Sequence, residues 1–410
     1  MDRADCRELD EACPLAECRA RFSLPDGVLY FDGNSLGALP GTTASNVRDL
    51  IESEWGEGLI RSWLDADWFY LARLAGDAIA PLIGASGGEV AVSDSTSVNI
   101  FKLAASLLRR AGARRKAIVE RGDFPTDAYI LEGAVGLLDR GQELIRAEPG
   151  GIADRIDRDT ALVLLSHVDY RTGELRDMEG LTARCRALGV PVIWDLCHSA
   201  GAVEVELNRC RVDYAVGCTY KFLNGGPGSP AFTYVSRDAI DGFEPAVTGW
   251  FGHADQFRFE DRYRAADSIN KCLVGSPPVL SLRAVLDGVK CFDGVRMDEL
   301  SGKSRRLSGL FIDLADESLA RHGLELATPR EPSRRGSQVS FRHPDAYAIA
   351  KALIARGLIP DFRDPDILRF GITPLYMRYV DVWDAVKLIE AVMSEGAWRD
   401  FRADAREAVT

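Results

Sequence analysis

Short apolar runs alternate with longer amphipathic stretches between about residues 85 and 235. The runs that suit buried strands are residues 90–92, 116–120, 161–165, 190–194, 212–216 and 231–235. Stretches with helical periodicity, such as residues 100–108 and 181–188, lie between them. Strands and helices that alternate in this way predict an α/β fold, in which helices cover both faces of a mainly parallel sheet.

The C-terminal part has a different pattern. Helices are expected near residues 281–292, 300–319 and 345–356, with strands at residues 338–341 and 367–371. This mixture predicts a smaller α+β domain beside the larger one. We therefore expect an N-terminal segment of residues 1–40 that packs with the small domain, a large domain of residues 41–285 and a small domain of residues 286–410. Within the N-terminal segment, a short helix is expected over residues 5–21.

Composition narrows the classes of partner. The chain has 410 residues, 46% of them hydrophobic, and a formal net charge of −12, which disfavours nucleic acids and anionic membranes as partners. No apolar run is long enough to span a bilayer and the first residues do not resemble a signal peptide, so a cytoplasmic protein is expected. The nine cysteines form no Cys-x-x-Cys pair and the five histidines have no metal-ligand spacing, so reduced thiols and no metal site are expected.

Two neighbouring strands lead to ionisable residues. Asp195 comes directly after the run at 190–194, and Lys221 follows the run at 212–216. An amine that can form a Schiff base and a carboxylate that can keep a pyridine nitrogen protonated are what pyridoxal phosphate (PLP) requires. From these two residues alone, an ordinary ion pair at the sheet edge is the favoured interpretation.

Further candidates follow other strands at the same predicted edge. Thr96 and Ser97 open a helix after residues 90–92, and hydroxyls at a helix N-terminus suit a phosphate group. Phe124 stands before a proline, where its ring could stack on a planar cofactor. The converging set is Thr96, Ser97, Phe124, Ser166, Asp195, His198, Tyr220 and Lys221. Each residue has an ordinary structural explanation, but the set together favours a PLP site.

Six motifs, in their order along the chain, resemble the kynureninase family. They are Gly33-Asn34-Ser35-Leu36-Gly37, residues 94–99, Phe124-Pro125-Thr126-Asp127, residues 195–201, Thr219-Tyr220-Lys221-Phe222 and Gly249-Trp250-Phe251-Gly252-His253. The resemblance extends from about residue 30 to residue 380. It implies a PLP enzyme of the aspartate-aminotransferase fold that cleaves L-kynurenine, or its 3-hydroxy form, to anthranilate or 3-hydroxyanthranilate and L-alanine, in tryptophan catabolism.

The resemblance also implies roles for individual residues. Lys221 would carry PLP and move protons, Asp195 would face the pyridine nitrogen, and Tyr220 is the candidate proton donor. The implied cofactor-binding residues are Thr96, Ser97, Phe124, Asp127, Ser166, Asp195, His198, Tyr220, Lys221, Trp250 and Ser276. Trp250 and Ser276 would come from the other subunit of a homodimer, so the active sites would be shared. Some members of the family are expected to carry Asn or Thr at the position of Ser276, which leaves the preference between the two substrates open.

The resemblance places the substrate at Arg369, Asn34 and Ser35. Arg369 also stands out in the sequence because it interrupts an apolar strand, where a buried guanidinium needs an anionic partner. The α-carboxylate of an amino acid would supply that partner. Both observations predict that Arg369 binds the substrate carboxylate.

Three alternatives stay open at this point. A class V aminotransferase shares the predicted fold and the pattern of Asp, His and Lys residues. A cysteine desulfurase needs a nucleophilic cysteine on a C-terminal loop, whereas the last cysteine of this chain is Cys291. A non-catalytic binding protein would not need Lys221 and Asp195.

Overall fold

The computed structural model of the protein describes residues 1–402, which form fifteen strands. In chain order they are β1 (Phe22–Ser23), β2 (Leu29–Tyr30), β3 (Leu39–Pro40), β4 (Val90–Val92), β5 (Lys116–Glu120), β6 (Glu143–Ala147), β7 (Thr160–Ser166), β8 (Val192–Asp195), β9 (Tyr214–Gly217), β10 (Phe232–Val235), β11 (Glu325–Leu326), β12 (Gln338–Arg342), β13 (Leu358–Ile359), β14 (Asp361–Arg363) and β15 (Ile367–Gly371).

Helices account for most of the remaining regular structure. The α-helices are α1 (Arg3–Glu11), α2 (Thr43–Asp49), α3 (Ser62–Asp65), α4 (Leu71–Ile79), α5 (Thr96–Arg109), α6 (Pro125–Leu138), α7 (Ile152–Arg155), α8 (Met178–Ala187), α9 (Arg237–Ile240), α10 (Val279–Lys290), α11 (Met297–Ser318), α12 (Ala346–Ile354) and α13 (Tyr379–Glu395). Helix α2 continues as a π-helical segment, Leu50–Gly58. No helix within residues 1–402 is long and apolar enough to cross a membrane.

The larger sheet has seven strands in the order β4-β10-β9-β8-β7-β5-β6. Strand β10 runs antiparallel to both of its neighbours, and the other pairs that join β9, β8, β7, β5 and β6 are parallel. All seven residues of β7 are buried, as expected for a strand that is covered on both faces. The carboxyl ends of β4, β5, β7, β8 and β9 therefore lie at one edge, where open α/β sheets bind ligands. The predicted fold class is confirmed.

The smaller sheet has four antiparallel strands in the order β11-β12-β15-β14. Its core contains a group of phenylalanines in contact, including Phe31, Phe311, Phe341 and Phe370, with the Phe311 and Phe370 rings 5.0 Å apart. In the pairing of β14 with β15, Asp361 lies opposite Arg369. This register places a carboxylate directly beside the buried arginine.

The N-terminal segment packs on both parts of the molecule. Strand β2 pairs with β13, and α1 packs on α13. Leu15, Cys18 and Phe22, in contrast, belong to the core of the large sheet. The predicted domain boundaries stay a prediction, and the last eight residues of the predicted small domain lie outside the described residues.

One predicted helix is wrong in its extent. A helix was expected over residues 5–21, but α1 ends at Glu11 and a 3₁₀ helix occupies Ala16–Arg21. Pro14 lies between them, and a proline lacks the N–H that an uninterrupted helix needs. The helices expected near residues 281–292 and 300–319 are present as α10 and α11, with ends within three residues of those predicted.

Candidate active site

A cavity of about 590 Å³ opens at the carboxyl ends of the parallel strands. We call it the cofactor cavity. Of the residues predicted from the sequence, its lining includes Thr96, Ser97, Phe124, Ser166, Asp195, His198, Tyr220, Lys221 and Ser276. Ser166 and Asp195 are the last residues of β7 and β8, and most of the others follow a few residues after a strand, so the topology brings these side chains to one edge.

Lys221 and His198 form the central contact of the cavity. Lys221 Nζ lies 2.9 Å from His198 Nε2 and 5.8 Å from the centre of the Phe124 ring. Burial and the charge of Lys221 hold the pKa of His198 well below its usual value, so the imidazole is neutral and can accept a hydrogen bond from the amine. His198 Nδ1 is buried without a hydrogen-bond partner. The hydrogen-bond partner of the Lys221 amine is therefore an uncharged imidazole and not a carboxylate.

Asp195 is the buried carboxylate of the cavity. It ends β8, and its Oδ1 accepts a hydrogen bond from the backbone N–H of Cys197 at 2.8 Å. Burial raises the pKa of Asp195, and the hydrogen bonds from Cys197 and the charge of Lys221 oppose that effect. A cation placed against this carboxylate would keep it ionised.

Helix α5 presents its N-terminus to the same space. Ser95 caps the helix, with its side chain accepting from the Val98 N–H at 3.3 Å. The hydroxyl of Ser97 contacts Thr126 Oγ1 at 3.1 Å, and that of Thr96 lies 3.6 Å from Cys197 Sγ. Backbone N–H groups, hydroxyls and the positive end of a fourteen-residue helix make this a suitable place for a phosphate group.

These features fit the parts of PLP. Lys221 offers the amine, Asp195 a buried carboxylate, Phe124 a ring face that is partly exposed in the cavity, and α5 a phosphate-binding end. His198, which lines the cavity, also has a buried Nδ1 atom without a hydrogen-bond partner, and a bound group could supply that partner. The residues of the cavity therefore offer a suitable partner for the aldehyde, the pyridine ring and the phosphate of PLP.

A second group of charged residues lies beyond Tyr170 and His198. We call Asp32, Ser35, Asp361, Arg363 and Arg369 the arginine cluster. Arg369 forms an ion pair with Asp361 and donates to Ser35 Oγ at 2.9 Å and to the Tyr170 carbonyl at 2.6 Å. Its side chain is 1% exposed. Arg369 consequently has the anionic partner that its position in an apolar strand demands.

Comparison with known proteins decides the family. Kynureninases from Pseudomonas fluorescens and from Burkholderia pseudomallei strain 1106a are 46% and 47% identical to this chain, over 100% of it and 99% of each relative. The family model of the kynureninase C-terminal domain matches residues 300–389. The chain belongs to the kynureninase family.

Solved structures show the same fold at low identity. An apo cysteine desulfurase from Thermococcus onnurineus NA1 superposes with a TM-score of 0.77 at 18% identity, and the match covers 92% of this chain and 98% of that one. A mutant of C-DES, which has glycine covalently linked to its PLP cofactor, has a TM-score of 0.77 at 16% identity, with coverage of 95% and 99%. With the kynureninase relatives, these findings confirm the predicted family, hydrolase class and PLP cofactor.

Several residues predicted by the kynureninase resemblance do not line the cofactor cavity. Asp127 is buried, and neither of its carboxylate oxygens has a hydrogen-bond partner. Trp250 is 43% exposed and contacts other aromatic rings on the surface. Asn34, Ser35 and Arg369 lie at the arginine cluster instead. The roles of these residues in a kynureninase site stay predictions.

The structure adds residues that the sequence did not single out. Tyr170 and Cys197 line the cofactor cavity, and Asp361 and Arg363 complete the arginine cluster. Cys197 follows Asp195 by two positions, so its place at the strand end could have been inferred. Asp361 and Arg363 looked like ordinary surface charges, and the strand register that brings them to Arg369 is not visible in the sequence.

Proposed function

We propose that this chain hydrolyses the Cβ–Cγ bond of L-kynurenine or 3-hydroxy-L-kynurenine in the cofactor cavity, with Lys221 as the cofactor-bearing residue. One water is consumed. Its oxygen stays on Cγ in the aromatic acid, and Cβ gains a proton to give alanine. The observation that carries the proposal is the position of Lys221 Nζ beside the neutral His198, in a cavity that also holds Asp195 and Phe124. Full-length identity of 46% to a kynureninase supports it.

PLP would be held by Lys221, with Asp195 at its pyridine nitrogen, Phe124 against its ring and Thr96 and Ser97 at its phosphate. When bound, the cofactor supplies an electron sink that stabilises negative charge at the substrate Cα. The remaining chemistry is proton transfer, which falls to the side chains of this chain.

Lys221 and Tyr220 are the candidate proton carriers. The amine of Lys221 would take the proton from Cα and return it. The neighbouring Cys218 sulfur and burial raise the pKa of Tyr220, so its phenol stays protonated at neutral pH. A neutral phenol that lines the cavity can donate a proton as the C–C bond breaks.

The substrate's α-carboxylate is assigned to the arginine cluster. Arg369 is buried and donates to the carbonyl of Tyr170, which lines the cofactor cavity, and Ser35 and Asn34 contact its guanidinium. A guanidinium held by fixed neighbours loses little entropy when it binds a carboxylate. This arrangement would orient the substrate with its α-carbon towards Lys221.

The reaction is tested by incubating the PLP-loaded protein with L-kynurenine and, separately, with 3-hydroxy-L-kynurenine, without any keto acid. We expect the aromatic acid and L-alanine to appear in equal amounts, and the ratio of the two rates will give the substrate preference. Products that require an added keto acid would instead indicate an aminotransferase. No aromatic acid from either substrate would contradict the proposed reaction.

A homodimer with shared sites is proposed from an exposed aromatic surface. Trp250, Phe257 and Phe259 are mutually in contact, and Phe257 and Phe259 are 61% and 74% exposed. Phe257 also stacks on Phe69 at 5.8 Å, which extends the surface towards the large core. Large exposed apolar patches mark association surfaces, and a second copy of the chain is the partner proposed here.

Mixing two inactive variants tests whether sites are shared. If Trp250 acts in the partner's site, unfolded and co-refolded Lys221→Ala and Trp250→Ala chains will form heterodimers with one intact site, and about a quarter of native activity returns for random pairing of equal amounts. Lys221→Ala co-refolded with itself is the control. Recovery no greater than that of the separate variants would show that Trp250 serves its own chain. The family resemblance assigns Ser276 to the partner's site as well, but Ser276 lines the cavity of its own chain. Co-refolding Lys221→Ala with Ser276→Ala distinguishes the two positions, because recovery is expected only if Ser276 acts in the partner's site.

A further inference from the structure

Two guanidinium groups share one carboxylate in the arginine cluster. Asp361 pairs with Arg369 and, through Oδ2, with Arg363 Nη2 at 2.8 Å. Both arginines also donate to Ser35 Oγ, at 2.9 Å from Arg369 and 3.2 Å from Arg363. Their Nη2 atoms therefore converge on the same two acceptors, and the two guanidiniums are neighbours.

Arg369 has few hydrogen-bond donors left for a ligand. A guanidinium has five N–H groups. Nη2 serves Ser35 and Asp361, Nη1 serves the Tyr170 carbonyl, and Nε donates to Asn34 Oδ1 at 3.0 Å when the Asn34 amide is oriented to satisfy both of its ends. One N–H of Nη1 remains. A single donor cannot make the two parallel hydrogen bonds by which an arginine fork binds a carboxylate.

Arg363 has donors to spare. Its side chain is 36% exposed, whereas that of Arg369 is 1% exposed. Arg363 Nε is buried without any hydrogen-bond partner, and Nη1 has only a long contact of 3.4 Å to the carbonyl of Phe362. A buried N–H without an acceptor is costly unless a ligand satisfies it.

The charge of the cluster also favours an added anion. Burial and the neighbouring Asp361 raise the pKa of Asp32 to about 7, so a large part of Asp32 is uncharged near neutral pH. Asp361 alone then faces two guanidiniums. Arg369 donates to the carbonyl of Tyr170, which lines the cofactor cavity, so the excess positive charge lies beside that residue.

We propose that Arg363 binds the substrate's α-carboxylate together with Arg369. Arg363 supplies the free N–H groups, and Arg369, fixed by Asp361 and Tyr170, holds the site in place and contributes its charge. This inference rests on the proposed function, because it requires an amino-acid substrate in the cofactor cavity. It extends that function by making Arg363 a specificity-determining residue for the carboxylate.

A non-reacting ligand separates carboxylate binding from turnover. The probe is 4-(2-aminophenyl)-4-oxobutanoic acid, which is kynurenine without its α-amine. The primary amide of this acid is the uncharged counterpart. Both are titrated calorimetrically into PLP-loaded native protein, Arg363→Gln and Arg342→Gln. Arg342 is the matched control, since it is a half-exposed arginine of the same sheet, paired with Asp366 at 3.0 Å.

The native protein is expected to bind the acid more tightly than the amide. Arg363→Gln should lower the affinity for the acid about 10- to 100-fold, as expected for the loss of charge-assisted hydrogen bonds. The affinity for the amide should not change. Arg342→Gln should behave as the native protein. An acid affinity unaltered by Arg363→Gln would overturn the inference, and concurrent turnover of L-kynurenine would show that the proposed function stands without it. Failure of the native protein to bind the acid would also overturn the inference, and failure to turn over L-kynurenine as well would contradict the proposed function.

If Arg363→Gln does not load the cofactor, Arg363→Lys is titrated in the same way. A lysine keeps the charge but cannot hold Asp361 and a ligand carboxylate with one planar fork. The affinity for the acid should therefore fall about fivefold or more, while the affinity for the amide does not change. Equal affinity of native protein and Arg363→Lys for the acid would overturn the inference.

Discussion

The cofactor cavity and the arginine cluster handle charge in opposite ways. In the cavity, Lys221 contacts a neutral histidine and Asp195 is hydrogen-bonded to a backbone N–H, so neither charge is neutralised by that contact. In the cluster, Arg369 and Arg363 are already paired with Asp361. The cavity leaves its charges available for a cofactor that brings complementary groups. The cluster keeps a preformed network to which a substrate carboxylate is added.

The largest expected effect is at Lys221. Lys221→Ala removes the residue proposed to bear the cofactor and to move the Cα proton, so turnover should fall about 10⁴-fold or more with the fold intact. Steady-state kinetics, far-ultraviolet circular dichroism and the absorbance of the lysine-bound cofactor provide the measurements. Lys116→Ala, which alters a half-exposed lysine of β5 paired with Asp157, is the control and should retain native rates. A near-native rate for Lys221→Ala would end the assignment.

In the arginine cluster the larger effect is on stability. Arg369→Met removes one partner of a buried ion pair and leaves Asp361 with the more exposed Arg363, so the free energy of unfolding should fall by about 3–5 kcal/mol. Urea denaturation at neutral pH measures this, and Arg342→Gln should change it by less than about 0.5 kcal/mol. If Arg369→Met were as stable as the control, the ion pair between Arg369 and Asp361 would not stabilise the cluster. The cluster would then not differ from the cofactor cavity in holding a stabilising network of paired charges.

The smallest effect is a pH dependence that distinguishes the cluster from the cavity. An ionised Asp32 competes with an entering carboxylate for the guanidiniums, so affinity for the non-reacting acid should fall as pH rises through about 7, approaching tenfold per pH unit above it. The groups that face Asp32 are Asp361, Arg363 and Arg369, with Tyr30 and Tyr376, whose pKa values are raised by burial, so that both stay neutral.

Asp32→Asn removes this titration and should flatten the profile. The probe lacks the α-amine, and its aromatic amine stays uncharged near neutral pH, so the change cannot come from a titrating amino group of the ligand. The uncharged amide should show no such slope with the native protein. An equally steep profile for Asp32→Asn would assign the titration to another group.

Sequence was a good guide to the cofactor cavity because its residues follow strands. Asp195, Ser166 and Lys221 each come at or just after a buried run, and parallel strands bring such positions to one edge. Helices α5, α10 and α11 were also predicted from their periodicity. The early end of α1 was missed although Pro14 is visible in the sequence, because the apolar pattern extends beyond it.

Sequence was a poorer guide to the arginine cluster. Arg369 was identified from its apolar neighbours, but the partner expected for it was a substrate, and the structure provides Asp361 as well. That pairing depends on the register of β14 against β15, which local composition does not determine. Asp32 comes from a loop near the other end of the chain, and only tertiary packing brings it to Arg369.

The position of β4 in the seven-stranded sheet has a consequence for synthesis of the chain. Among the described residues, the one neighbour of β4 in that sheet is β10, which the ribosome makes only when it reaches residue 232. At about 5–20 residues per second, β4 and the phosphate-binding end of α5 wait roughly 7 to 28 seconds for that strand. Lys221 has then already been translated. The nascent chain therefore has its reactive lysine before it has a complete place for the cofactor's phosphate.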